Sequence, residues 1–385
     1  MSKEENRKNF SKYVSQNILG MIGFSCYVLA DSYFISIAKG ADGLTALNLV
    51  MPLYSIIFSI GEMIGVGSAI RYAISKIKKD ADADDYFWNA LIWCILSSML
   101  FVFAGIFFSA DIMRVLGADE HIVAVGNNYT KIFMCFAPMF MCNYVTNAFV
   151  RNDGAPGIAM SATLFSSLFN IVFDYILMFP MNLGMEGAAL ATALSPIIGM
   201  GICSIHFFSK KSSVRLVVCK PSVRKLVAGG QLGVSAFVGE MSSAVITLAF
   251  NFVILKLAGN VGVAAYGVVA NIAIVTTAVF NGVAQGSQPL ISSCFGRGDK
   301  DGCTQLKRMG YTTAFVLAAV MYSILFIFAG QFVAVFNSEG SEMLRLYATE
   351  GVKLYFIGIF FAGINIVGGG AFSATEDAFK AAVVS

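Results

Sequence analysis

Charge is scarce in this chain. Only 13% of its 385 residues are Asp, Glu, Lys or Arg, and it holds just two His and two Trp. A soluble domain carries about twice that share of charge to keep its surface wet. His121 and His206 are too few and too scattered for a catalytic constellation, and they read as interfacial side chains. Eight cysteines (Cys26, Cys94, Cys135, Cys142, Cys203, Cys219, Cys294 and Cys303) show no CxxC or metal-ligand spacing, so they read as free thiols and no resident cofactor is expected. Basic residues outnumber acidic ones by only three, too small an excess to suggest nucleic acid. A cleavable signal peptide is not expected either, because the first apolar run is too long and lacks a cleavage site.

What the chain has in abundance is apolar surface. Hydrophobic residues make up 57% of it, including 34 Phe and 18 Met, and its mean hydropathy is +0.74. No dry core of a chain this size would hide so much, whereas lipid can cover it.

The chain also repeats itself at a spacing of 219. Gly43, Ala46, Val50, Gly67, Ser68, Asp80 and Asp82 recur as Gly262, Ala265, Val269, Gly286, Ser287, Asp299 and Asp301. Lys131 and Lys353 match at 222, and Phe149 and Phe372 at 223, drifts that a few inserted loop residues explain. Such a repeat implies two similar bundles with an interface where a solute could cross.

Ten apolar segments are long enough to span a bilayer, which takes about 20 helical residues. They lie near 14–38, 44–74, 86–109, 122–148, 157–180, 185–208, 229–257, 261–294, 310–336 and 344–374. The N-terminal arm and the loops after the even-numbered segments hold about 20 of the 26 Lys and Arg, so that side is expected to be cytoplasmic. Residues 1–208 form the expected first lobe, the basic segment 209–228 a cytoplasmic linker, and 229–385 the second lobe. With an even number of spans per half, the lobes should be related by a pseudo-two-fold axis along the membrane normal. By comparison with the first half, the second is expected to continue for two more spans, roughly 45–60 residues, making two six-helix bundles.

Four acids fall inside spans: Asp31, Glu62, Asp174 and Glu240. An acid at the bilayer centre costs about 2.5–3.5 kcal/mol on insertion scales, so each needs a reason. No base falls in the middle of a span, and Arg151 belongs to a loop on this reading, so the acids are expected to lack a salt-bridge partner. Asp31 lies about 10 Å below the outer end of its span, with Asp174 and Thr192 at similar depth. Asn170 shares a helix face with Asp174, four residues on. Together these form an expected all-oxygen cluster suited to Na⁺ or to a proton shared between like-charged acids. Glu240 falls near the midplane and is a candidate for meeting a cationic substrate. Glu62 sits among Gly61, Gly65 and Gly67, whose spacing suggests close helix packing. Gln285, Gln288 and Asn281 make the eighth segment polar on one face, as a cavity lining would be. Pro52, Pro138 and Pro289 interrupt segments two, four and eight at candidate bends.

Several motifs resemble the multidrug and toxic compound extrusion (MATE) transporters. Ala30-Asp31-Ser32-Tyr33-Phe34-Ile35 is similar to the end of their first helix, and Arg151-Asn152-Asp153-Gly154-Ala155-Pro156 to their fourth intracellular turn. Asn170-Ile171-Val172-Phe173-Asp174 and Gly187-Ala188-Ala189-Leu190-Ala191-Thr192 resemble their fifth and sixth helices. Gly286-Ser287-Gln288-Pro289-Leu290 and Gly296-Arg297-Gly298-Asp299 fit in the second half. The resemblance implies a twelve-helix, two-lobe antiporter, not an enzyme, exporting organic cations in exchange for Na⁺ or H⁺. It implies Asp31, Asn170, Asp174 and Thr192 as first-lobe cation ligands and Glu240 as a second-lobe acid used in some branches. Where some branches have a proline in the first helix, this chain has Gly20-Met21-Ile22-Gly23.

The sequence therefore reads as an all-α polytopic membrane protein, a cation-coupled exporter expected to work as a monomer in the bacterial inner membrane with its N-terminus in the cytoplasm. Membrane lipid and small organic cations are its expected partners. The rival reading, a lipid or lipid-linked oligosaccharide flippase of related architecture, would call for Arg or Lys lining the cleft.

Overall fold

The computed structural model describes residues 3–336 and 341–385, and helices are the only regular elements among them. Nine helices are long and apolar enough to cross a membrane: Lys3–Gly40, Asp42–Lys78, Asp85–Val115, Pro156–Met178, Gly184–Phe207, Val223–Ile254, Val261–Gly296, Lys300–Ile327 and Glu342–Ser373. Among the described residues a bent pair, Glu120–Cys135 followed by Ala137–Asn152 at 45°, is together long and apolar enough for a tenth. Of the three expected proline bends, only Pro138 makes a break. It occupies the first turn of the second half-helix, where its missing N–H costs nothing. Pro52 and Pro289 lie inside continuous helices, so the expectation of interruptions there is corrected. The seventh helix begins at Val223, where the Ser222 hydroxyl caps the Lys225 amide at 3.4 Å, so the end of the expected linker segment is helical.

The repeat is carried by backbone conformation as well as by residue type. Gly40 turns the first span into the second at φ 57°, and Gly259, 219 residues on, turns the seventh into the eighth at φ 61°. Lys79 and Gly298, again 219 apart, both adopt positive φ. Asp119 caps Ile122 and Ser341 caps Leu344, each pair offset by 222, and Gly154 and Glu376 share positive φ at the same offset. Each half is therefore built by the same turns, which gives two lobes of like handedness and orientation. Their cores are separate. One gathers residues such as Phe280, Val283, Leu306 and Val352 of the second half, and another Ile70, Phe87, Val145 and Phe149 of the first. Leu100, Phe103 and Phe107 point outward, where lipid can cover them.

The lobes meet in a seam toward the end that carries the basic loops. Glycines make it possible. A β-carbon on Gly67 would stand 2.0 Å from the Gly229 carbonyl oxygen, and one on Gly233 would stand 1.9 Å from that of Met63. On the other flank, Gly282 and Gly286 lie against the backbone of Ile18 and of Tyr13–Val14. Phe10 and Val14 of the first span are thereby buried in the second lobe's core. At the rim Arg71 pairs with Glu376 across the lobes, and Asn6 donates to Gln305 Oε1 at 3.2 Å.

Replacing Gly233 with Ala should therefore wedge the seam. Spin labels at Lys79→Cys and Lys300→Cys, in a background free of native cysteine, should move apart in Gly233→Ala. Thermal stability should fall by about 1–3 kcal/mol from the overpacking. An unaltered distance would mean that the helices do not cross there.

Candidate cation site and the inter-lobe cluster

Span one reaches span five because Gly20 and Gly23 face it. Gly20 lies over Met160 and Thr163, and Gly23 lies over Leu164, whose Cδ2 a β-carbon there would approach to 2.5 Å. The first span runs unbroken from Lys3 to Gly40. Gly187 packs on the Leu177 backbone and brings the start of span six against the end of span five. Ser166 Oγ then donates to the Ser195 carbonyl at 2.8 Å and fixes the register of that pair.

These contacts bring the four predicted ligands into one neighbourhood, toward the end away from the basic loops. Asp31 is 7% exposed, Thr192 1%, and Asn170 and Asp174 are fully buried. With its amide oriented so that each end meets a complementary partner, Asn170 donates its N–H to Asp174 Oδ2 at 3.1 Å and its oxygen accepts from Thr192 Oγ1 at 3.2 Å. Asp31 and Asp174 lie within electrostatic reach of each other. Each keeps one buried oxygen, Oδ1, without a hydrogen-bond partner. Among the described residues no Lys, Arg or His pairs with either acid.

Three tyrosines border this pair, and the sequence reading did not single them out. Tyr27, Tyr54 and Tyr129 all feel the charge of both acids. The Tyr54 and Tyr129 hydroxyls hydrogen-bond to each other, and the Tyr54 ring stacks on Phe133. Tyr27 carried a usable signal, since it sits one helical turn before Asp31. Tyr54 and Tyr129 are brought in by other spans and carried none.

The second lobe lacks this chemistry. At the 219 spacing Asp31 corresponds to Phe250 and Tyr54 to Ala273, and at 222 Tyr129 corresponds to Gly351. There the lobe has a cavity of about 640 Å³ lined by Phe250, Ala273, Gly351 and the aromatic rings of Tyr266 and Tyr355. The acid pair is a property of one lobe only.

The remaining candidates assemble elsewhere, near the seam. Gln285 Nε2 donates to Glu62 Oε1 at 3.2 Å, and Glu62 also feels the charge of Glu240 on span seven. Gln288, one turn further along span eight, is 4% exposed and keeps its Oε1 unpartnered. Here an expectation fails. Arg151 is no loop residue: it closes the helix Ala137–Asn152, is 4% exposed, and donates to Gln285 Oε1 at 2.6 Å. Three residues past the expected end of the span would have put it in water, but the second half-helix runs on to Asn152 and its 45° bend carries Arg151 into the seam. Glu62 therefore has a buried basic neighbour, unlike Asp31 and Asp174. His206 lies in the last turn of span six, beside the basic segment. It is 3% exposed and bonded at 2.8 Å to Asp153, which also accepts from the Ser213 amide at 2.9 Å and so ties the segment after span six to the first lobe.

Substituting Asn170 by Leu should leave Asp174 with both buried oxygens unpaired. This should lower the stability of the purified protein by about 1–3 kcal/mol. Adding Asp174→Asn should recover part of the loss, because the charge is then gone. Equal melting temperatures for Asn170→Leu and the parent would refute the contact.

Comparison with known proteins identifies the fold and the family. The family model MatE matches residues 17–176 and 236–385. The chain is 27% identical over 336 residues to the multidrug export protein MepA of Staphylococcus aureus strain MRSA252, covering 86% of this chain and 72% of that protein. It is 24% identical over 375 residues to the MepA of Staphylococcus saprophyticus, covering 96% and 81%. Among solved structures, an outward-facing multidrug resistance MATE transporter of the MOP superfamily superposes with a TM-score of 0.91 at 20% identity, covering 98% of this chain and 84% of that one. A MOP superfamily transporter from Pyrococcus furiosus, described as having a binding pocket of reversed polarity, gives 0.90 at the same identity and coverage. The two-lobe helical fold, the repeat and the family match converge, and the chain is a multi-pass membrane transporter of the MatE family.

Proposed function

We propose that this chain exports organic cations in exchange for a cation bound between Asp31 and Asp174. One observation carries the reading: two buried carboxyl groups from different spans, within reach of each other, each hold an unpartnered oxygen and no basic side chain pairs with either. Charge buried in this way needs a mobile cation to quiet it. The similarity to two proteins named for multidrug export supports the outward direction and a drug-like cargo.

Between the two coupling ions, the hydrogen bonds favour the proton. Asn170 gives its N–H to Asp174 and turns its oxygen to Thr192, so it is a positioning residue for the acid in this arrangement. That leaves one open oxygen on each carboxyl group, and a proton taken up there needs no further ligand. Na⁺ would require Asn170 and Thr192 to turn their oxygens inward, since a hard cation gathers several oxygen ligands.

The lobes in this conformation are joined at the basic end, which we take as cytoplasmic, with the N-terminus on that side of the plasma membrane. Residues 1–208 and 229–385 are the rocking units, and lipid is their solvent. A cation entering from outside neutralises the acid pair and lets the first lobe repack and release its cargo outward. The lobes then rock to face inward and reload. Each elementary charge moved inward contributes about 2.3 kcal/mol per 100 mV. Glu240, near the midplane, offers the cargo a counter-charge, and Gln288 an unpaired carbonyl. A flippase for phosphate-bearing lipids fits less well: the buried base, Arg151, is committed to Gln285 and Asn17.

Efflux of a cationic dye from cells should fall at least tenfold in both Asp31→Asn and Asp174→Asn, at matched membrane levels. Removing Na⁺ at fixed pH should leave the parent rate unchanged, whereas collapsing the proton gradient should abolish export. Parent-like efflux in both variants would refute the coupling role, and dependence on Na⁺ alone would replace the proton by sodium.

A further inference from the structure

Gln285 occupies an unusual position. It belongs to the second lobe, yet both of its side-chain partners belong to the first. Its oxygen accepts from Arg151 Nη1 at 2.6 Å, and its nitrogen donates to Glu62 Oε1 at 3.2 Å. The amide is thus inserted between a cation and an anion of the opposite lobe, and each charge holds the end that complements it. Arg151 has one further acceptor, Asn17 Oδ1 at 3.4 Å, its Nε is unpartnered, and among the described residues no carboxylate pairs with it directly. Gly282 and Gly286, one before and one after, press span eight onto the backbone of span one and present Gln285 to this gap.

We infer that Gln285 is a withdrawable spacer between a buried guanidinium and a half-buried carboxylate and latches the lobes at the basic end. Pairing an arginine through an amide alone is a costly way to bury a guanidinium, unless the amide is needed there. Through the bridge, Arg151 and Glu62 are separated by no more than about 8 Å, from the bond lengths of the amide and the two hydrogen bonds. When the seam opens, Gln285 leaves with the second lobe. Arg151 and Glu62 remain together in the first lobe and can close on each other. Opening therefore exchanges two charge-assisted hydrogen bonds for one direct ion pair and strands neither charge. An element with two satisfied arrangements is what a switch between conformations requires. Glu240, on the other side of the seam, is a like charge near Glu62, and its repulsion favours Glu62 closing on Arg151 when the amide withdraws.

The inference depends on the proposed function only in requiring that the seam opens, and its readout is distance rather than transport. Spin labels placed at Lys79→Cys and Lys300→Cys in nanodiscs report the opening of the basic end. Gln285→Leu, of similar volume, should raise the open-to-closed population ratio about tenfold, the effect of losing hydrogen bonds to charged groups. In a background carrying both Arg151→Leu and Glu62→Leu, Gln285→Leu should change the ratio less than twofold. An unchanged ratio in Gln285→Leu, or an equal shift in the background without the two charges, would overturn the latch in favour of plain packing. Asp31→Asn retains every group of the latch, so the response to Gln285→Leu should persist in it even if the coupling assignment proves wrong.

Discussion

The structure depends on a solvation problem. A carboxylate placed among apolar helices loses the water that stabilises it, and the surrounding protein must replace that water or leave the group waiting for a ligand. This chain solves the problem differently in two places. Glu62 is given an amide and, beyond it, a guanidinium. Asp31 and Asp174 are given one donor between them in Asn170, and each is left with an open oxygen. The first arrangement is internally satisfied and suits a joint, and the second is incomplete and suits a binding site.

Glycine placement makes both possible. In a bilayer, helices gain little from burying apolar surface against each other, so close backbone approach and polar contacts decide where they touch. Gly67, Gly229 and Gly233 bring spans two and seven into backbone contact, and Gly282 and Gly286 do the same for spans eight and one. The seam at the basic end is therefore tight enough to bury Arg151, while Gln285 and Glu62 stay half-buried beside it. Gly20 and Gly23 bring span one onto span five and set Asp31 beside Asp174. The same device holds the joint and builds the site.

The two lobes share turns but not chemistry. Gly40 and Gly259 or Lys79 and Gly298 show that one backbone plan was used twice. Phe250 in place of Asp31, with Ala273 and Gly351 in place of Tyr54 and Tyr129, shows that the polar equipment was kept on one side. Rocking two similar lobes against each other needs matched shapes, whereas holding a coupling cation needs only one set of acids.

Much of this was legible in the chain itself. Ten apolar segments, the 219-residue repeat and the clustering of Lys and Arg at alternate loops follow from composition and order, because a helix must satisfy its backbone internally to cross lipid. Asp31, Asn170, Asp174 and Thr192 could be grouped because helical rise converts residue counts into depth. What order along the chain does not encode is which faces of which helices meet. Tyr54 and Tyr129 reach the acid pair from spans two and four, and Arg151 is turned into the seam by the break before Pro138. The insertion of Gln285 between two charges of the other lobe is set by residues more than 130 positions away. Depth and polarity are properties of one helix and can be counted, whereas a partner across a helix crossing exists only once glycine contacts have set how closely and at what rotation the helices pack.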